Sequence, residues 1–191
     1  MKIDAETGLL EEARQVPSPN FNERPSGAVP ELIVIHGISL PPGEFGGTAI
    51  DRFFTNCLDC SLHPYFSQIE GLQVSSHLLI GRGGEIVQYV PFSRRAWHAG
   101  VSSYRGRENC NDFSIGIELE GTDELPYAEA QYRRLTEVVA CLLRTYDSLS
   151  AQDIVGHSDI APGRKTDPGP AFDWAYFRQC LNLVMQHVSD D

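Results

Sequence analysis

The clearest pattern along this chain is the alternation Ser114-Ile-Gly-Ile-Glu-Leu-Glu120. In an extended segment Ile115, Ile117 and Leu119 fall on one side, and Ser114, Gly116, Glu118 and Glu120 on the other. It predicts a strand with one face toward a core and a polar, solvated face opposite. The β-branched run Glu31-Leu-Ile-Val-Ile35 predicts a buried strand with His36 and Gly37 at its exit. Val74–Ile80 and Glu85–Val90 read as two strands joined by the turn Gly81-Arg-Gly-Gly84. That glycine run opens no helix, so it is not a phosphate-binding loop. Asp153–His157 is the last strand.

Apolar positions at helical spacing (Tyr132, Leu135, Val138, Val139, Leu142, Leu143, Tyr146) predict a helix over about 128–146. A short helix is predicted over about 48–57, with Ile50, Phe53 and Phe54 on its apolar face. Asp173 is the N-cap of a final helix whose buried stripe is Trp174, Phe177, Leu181, Val184, Met185 and Val188. Strands interspersed with few helices predict an α/β fold: one domain over 1–191, with a central mixed sheet flanked by helices. The stretch from Gly37 to Leu72 opens with Pro41, Pro42, Gly43, Gly46 and Gly47 and is long for a connection. It is expected to wall a cleft and to move during turnover, with Gly37 loosening the backbone.

Composition narrows the function. With 41% hydrophobic and 21% charged residues the chain is of ordinary globular type, and its net charge of −11 argues against nucleic acid and anionic membranes as partners. No apolar segment of signal-peptide length opens the chain, and none approaches the roughly 18–20 residues needed to span a bilayer. Five cysteines are an odd number in a chain too large to need disulfide staples, which favours the cytoplasm. Cys57 and Cys60 form a lone C-x-x-C and are expected, like Cys110, Cys141 and Cys180, to be small buried thiols.

The segment Gly156–Pro170 carries His157, Lys165 and Asp167 in a stretch too rich in Gly and Pro to be helical. Pro168 pushes Asp167 toward an extended conformation, which points Lys165 and Asp167 to the same side. With His36 and His157 both at strand ends, two imidazoles and a carboxylate would leave one position of a tetrahedral zinc open, the pattern of a catalytic site. Either Glu118 or Glu120 could act as general base, and spacing does not choose between them. Lys165 could stabilise negative charge on a tetrahedral intermediate.

Five stretches carry a family resemblance: Val34-Ile-His36, Ile38-Ser-Leu-Pro-Pro-Gly-Glu-Phe-Gly-Gly47, Arg95-Ala-Trp-His-Ala-Gly-Val101, Cys110-Asn-Asp-Phe-Ser-Ile-Gly-Ile-Glu-Leu-Glu-Gly-Thr122 and Gly156–Pro170. Over about residues 8–180 the chain resembles the zinc N-acetylmuramoyl-L-alanine amidase family, which also includes phage lysozyme-like amidases and peptidoglycan recognition proteins. The resemblance implies Zn2+ on His36, His157 and Asp167, catalysis by Glu118 rather than Glu120, and a catalytic role for Lys165. It implies hydrolysis of the amide between the lactyl group of anhydro-N-acetylmuramic acid and L-alanine, in the recycling of cell-wall fragments, with a small muropeptide as partner and a monomeric enzyme. Two positions depart from the family pattern. Gly37 stands where an asparagine that helps bind substrate is usual, and Asn109 where an arginine is found, so both bear on affinity. A non-catalytic muropeptide binder is disfavoured, because such relatives typically lose a zinc ligand. Trp97 and His98 are expected to wall the substrate cleft. An anionic substrate on so acidic a chain calls for a local basic patch, with Arg94, Arg95, Arg105 and Arg107 as candidates.

Overall fold

The computed structural model describes residues 1–187. Its six-stranded sheet is built from β1 (Arg14–Gln15), β3 (Leu32–Ile38), β4 (Leu78–Ile80), β5 (Ile86–Gln88), β9 (Ser114–Glu120) and β10 (Ile154–Gly156), in the order β1-β5-β4-β9-β3-β10. Two small ribbons pair β2 (Phe21–Asn22) with β6 (Arg95–Ala96) and β7 (Ser103–Tyr104) with β8 (Arg107–Glu108). The helices are α1 (Ala49–Phe54), α2 (Glu129–Thr145), α3 (His157–Ile160) and α4 (Trp174–His187). Within the six-stranded sheet pairing is parallel except between β4 and β5, whose hairpin turn closes through Gly81 N–H to Glu85 O at 2.9 Å; both ribbons are antiparallel. The mixed sheet flanked by helices is therefore as predicted.

The strands divide their side chains between two layers. Ile33, Ile35, Ile115, Ile117 and Leu119 pack with Leu135, Val138, Val139 and Leu142 of α2 and with Phe177 and Leu181 of α4. Leu32 and Val34, on the other face of β3, join Ala99, Cys110, Phe113 and Ile160. His36 continues this second face, away from α2 and α4. Asp173 caps α4 as expected, its carboxylate accepting from Tyr176 N–H at 2.9 Å. Val188, the end of the expected stripe, lies outside the described residues.

Five local expectations are corrected. All seven residues of β9 are buried, so Glu118 and Glu120 are not on a solvated face; loops and ribbons cover that side of the strand. β3 runs on to Ile38, because β9 pairs with it throughout, and His36 lies inside the strand rather than at its exit. β10 stops at Gly156, whose N–H is taken by the Asp159 carboxylate at 2.7 Å, and His157 opens a short helix instead of ending a strand. β4 begins only at Leu78, since Ser75 N–H turns aside to Trp97 O. Cys57 is exposed and Cys60 half-buried, not buried thiols; all five cysteines are free.

The excursion 37–72 has its own apolar anchor. Leu40, Ile50, Phe53, Phe54 and Phe66 pack against Leu79, Tyr89 and Val90 of the hairpin region. Its Gly43–Gly47 tip is exposed, and is tied down where Gly46 N–H donates to the Glu120 carboxylate at 2.5 Å.

Candidate active site

Register brings the chemistry together. His36 on β3 and Glu118 on β9 are direct partners across parallel strands, so both side chains project from the same face at the same level. Gly156 pairs with Ile35, which sets His157 beside His36. Gly156 must be small: a Cβ there would come within 2.9 Å of the Pro168 ring. That close approach brings in the 161–170 loop, held further by Ser158 N–H to Asp167 O at 3.0 Å and Lys165 N–H to Ala161 O at 3.0 Å.

Three atoms converge. His36 Nδ1 and His157 Nδ1 are 3.0 Å apart, and Asp167 Oδ2 lies 3.3 Å from the first and 3.1 Å from the second. His157 Nε2 faces the carbonyl of Ala99 at 3.2 Å. A carbonyl only accepts, so in the neutral ring the proton sits on Nε2 and Nδ1 carries a lone pair. Burial, partly offset by Asp167, lowers the pKa of His36 to about 4, so this imidazole is neutral at pH 7. Two imidazole nitrogens and a carboxylate oxygen thus meet within 4.8 Å of one another, a set of donors that suits a cation. The fit to zinc is close: bonds of about 2.0–2.1 Å in a tetrahedron give ligand separations of about 3.3 Å.

Glu118 lies 8% exposed on the same cleft, and its Oε2 has no hydrogen-bond partner among the described residues. Burial, reinforced by the charge of Asp167 and opposed by that of Lys165, raises its pKa well above the ordinary 4.5. Glu120 differs: its oxygens accept from Gly46 N–H at 2.5 Å and Arg82 N–H at 3.3 Å. The structure therefore separates two carboxylates that spacing left equivalent.

The raised pKa has a stability consequence. A carboxyl with a folded pKa above its unfolded value stabilises the fold below about pH 4.5, and that contribution is lost as pH rises through the folded value. Metal-free Glu118→Gln should therefore unfold at the same temperature as wild type near about pH 4 and at a higher one near about pH 8. A gap that does not change with pH would contradict this reading.

The cleft holds about 630 Å³. His36, Glu118, His157, Lys165 and Asp167 line its floor and one side; Leu40, Phe53, Phe54, Tyr65 and Ile69 from the excursion form the expected wall. Trp97 and His98 also line it, with Trp97 Nε1–H anchored on Asn22 at 2.8 Å. Thr122, Asp123 and Thr166 line it too and carried no signal, being common loop residues beside the motifs.

Arg94 pairs with Glu23, Arg95 with Asp112 at 2.6 Å, Arg105 with Asp153 at 2.9 Å and Arg107 with Glu31 at 2.7 Å, and none of the four lines the cleft. Each arginine is paired with a carboxylate from another segment, and Lys165 is the cation lining the cleft among the described residues. Asn109 is also elsewhere, left-handed at φ 57° at the start of a turn and lining a separate hollow with Arg164. Gly37 does line the cleft but offers only backbone, its N–H 3.4 Å from Asp167 Oδ2. Its smallness, more than its flexibility, is used: a Cβ there would sit 2.4 Å from the Tyr127 hydroxyl, which donates to Pro168 O.

Comparison with known proteins agrees with this geometry. Residues 26–170 match the family described as N-acetylmuramoyl-L-alanine amidase. The 1,6-anhydro-N-acetylmuramyl-L-alanine amidase AmpD of Escherichia coli (strain K12) is 61% identical over 173 residues, 91% of this chain and 94% of the relative. The crystal structure of a selenomethionine AmpD derivative superposes with a TM-score of 0.91 at 60% identity, covering 95% of this chain and 99% of that one. The E. coli amidase AmiD, in complex with the substrate anhydro-N-acetylmuramic acid-L-Ala-D-gamma-Glu-L-Lys, is similar at 29% identity and a TM-score of 0.58, covering 84% of this chain and 65% of that one. This chain belongs to the N-acetylmuramoyl-L-alanine amidase family.

Proposed function

We propose that this amidase hydrolyses the amide between anhydro-N-acetylmuramic acid and L-alanine in soluble muropeptides, as a zinc enzyme of cell-wall recycling. The observation that carries the reading is the triangle of His36 Nδ1, His157 Nδ1 and Asp167 Oδ2 beside the unpartnered Oε2 of Glu118. The relatives' names and the substrate held by AmiD support the bond and the ligand.

His36, His157 and Asp167 would hold the ion. When bound, zinc supplies a Lewis acid and lowers the pKa of water toward about 7. Glu118 Oε2 takes one proton from the attacking water and returns it to the leaving nitrogen of L-alanine; its desolvated carboxyl is suited to both halves of that transfer. The oxygen goes to the lactyl carbonyl carbon, and the C–N bond breaks. Lys165 places its ammonium where the carbonyl oxygen gains charge. Trp97 and the apolar side chains at Leu40, Phe53 and Phe54 offer a wall to the sugar and limit water in the cleft. Lys165, in place of the four paired arginines, also supplies the positive charge that an anionic peptide meets.

No helix among the described residues is long and apolar enough to cross a membrane. A cytoplasmic monomer acting on small fragments is the setting we assign. The test is to incubate purified protein with anhydro-N-acetylmuramyl tripeptide and identify the products by mass spectrometry. Release of free anhydro-N-acetylmuramic acid and a peptide beginning with L-alanine is expected; an intact substrate, or cleavage within the peptide, would refute the assignment. Lys165→Ala should retain its metal and lose about 10²–10³-fold in kcat. A normal kcat in that variant would remove Lys165 from the chemistry.

A further inference from the structure

The strand alternation Ser114-x-Gly116-x-Glu118 has a use beyond presenting Glu118. On the face that carries Glu118, the ring of His98 lies against β9, and the three alternate positions meet different needs. Ser114 Oγ is 3.1 Å from His98 Nε2. Gly116 leaves the space for the ring: a Cβ there would fall 2.4 Å from His98 Cγ and 2.6 Å from its Nδ1. His98 Nδ1 is then 2.9 Å from Nε2 of His36, the nitrogen opposite the one that faces Asp167 and His157.

The next residue does the same for the other imidazole, since the Ala99 carbonyl receives Nε2–H of His157. Both backbone N–H groups, of His98 and Ala99, are pinned by a single acceptor, the buried Asn111 Oδ1, at 3.0 and 2.8 Å. Arg164 donates to the same Ala99 carbonyl at 2.6 Å. Two consecutive residues therefore touch the outer nitrogens of both histidines, and one asparagine fixes the pair.

We propose that His98 is a positioning residue for the metal site: it accepts the Nε2 proton of His36 at its own Nδ1, passes its Nε2–H to Ser114, and so locks His36 in the tautomer with Nδ1 open to the ion. This rests on the reading that His36, His157 and Asp167 hold zinc. It moves His98 from the substrate wall to the support of the ligand, and it assigns Ser114 and Gly116 as the seat of that support. Outer partners of this kind orient ligating histidines, and losing one typically costs about 10–100-fold in metal affinity.

Zinc affinity measured by competition with a chromophoric chelator tests this without recourse to turnover. His98→Leu, which fills the space but cannot accept, should bind zinc about 10–100-fold more weakly than wild type. His98→Asn, whose Oδ1 can stand near the position of Nδ1, should recover most of that loss. Wild-type affinity in His98→Leu, or equal weakness in both variants, would overturn the proposal. If His98→Leu does not fold, imidazole nitrogen shifts in zinc-loaded wild type decide: a bare Nδ1 and protonated Nε2 on His98 support it, and the reverse tautomer overturns it. Wild type that binds no zinc would instead refute the ligand set itself, and the inference with it.

Discussion

His157→Ala is expected to come through purification folded but with little zinc and no measurable amidase activity. His157 Nδ1 supplies two of the three short separations in the ligand triangle, 3.0 Å to His36 and 3.1 Å to Asp167. Its removal leaves an imidazole and a carboxylate alone, too few for a catalytic zinc with its usual three protein ligands. The loss should exceed the roughly 10–100-fold that removal of an outer partner costs. The fold should survive, because the strands and α2 and α4 bury their apolar side chains on the opposite face of the sheet. Metal content per chain after dialysis, measured beside circular dichroism, checks both halves. A variant with full zinc occupancy would show that His157 is not a ligand.

Glu118→Gln is the second large effect. It should keep its zinc, because Glu118 is a register partner of His36 rather than a member of the triangle, and should lose about 10²–10⁴-fold in kcat. Glutamine keeps the shape and cannot take the proton. Glu120→Gln is the internal control: that carboxylate is occupied with the N–H groups of Gly46 and Arg82, so its loss should slacken the Gly43–Gly47 tip more than it slows the chemistry. A crippled Glu120→Gln beside a nearly normal Glu118→Gln would reverse the assignment.

Much of this was legible in the sequence, and the exceptions share a cause. The alternation in β9 and the helical spacing in α2 depend on nearest neighbours, so they could be read directly. His36, His157, Asp167 and Lys165 stood out because their residue types are those of a hydrolytic metal site. What could not be read was which faces the rest of the chain would cover. In spacing Glu118 and Glu120 looked alike because their burial depends on loops far away in sequence; the register with β3 and the contacts of Glu120 with Gly46 and Arg82 distinguish them. The placement of the four arginines was hidden for the same reason: each has a carboxylate partner on another segment, at a separation that no local pattern reveals. His98 was noticed as a cleft residue, while its contact with His36 spans 62 residues and needed the fold to bring it about. The stop of β10 at Gly156 turned on one side-chain cap, the Asp159 carboxylate three residues ahead.

The central claim is that one zinc ion, held by His36, His157 and Asp167, supports hydrolysis of the anhydro-N-acetylmuramic acid–L-alanine amide. The most direct measurement strips the purified protein with a chelator and follows release of the L-alanine-terminated peptide while zinc is titrated back. The stripped protein should be inactive, and turnover should rise in proportion to added zinc and saturate at one ion per chain. Undiminished turnover by metal-free protein, or a zinc-saturated protein that leaves this amide intact, would contradict the account.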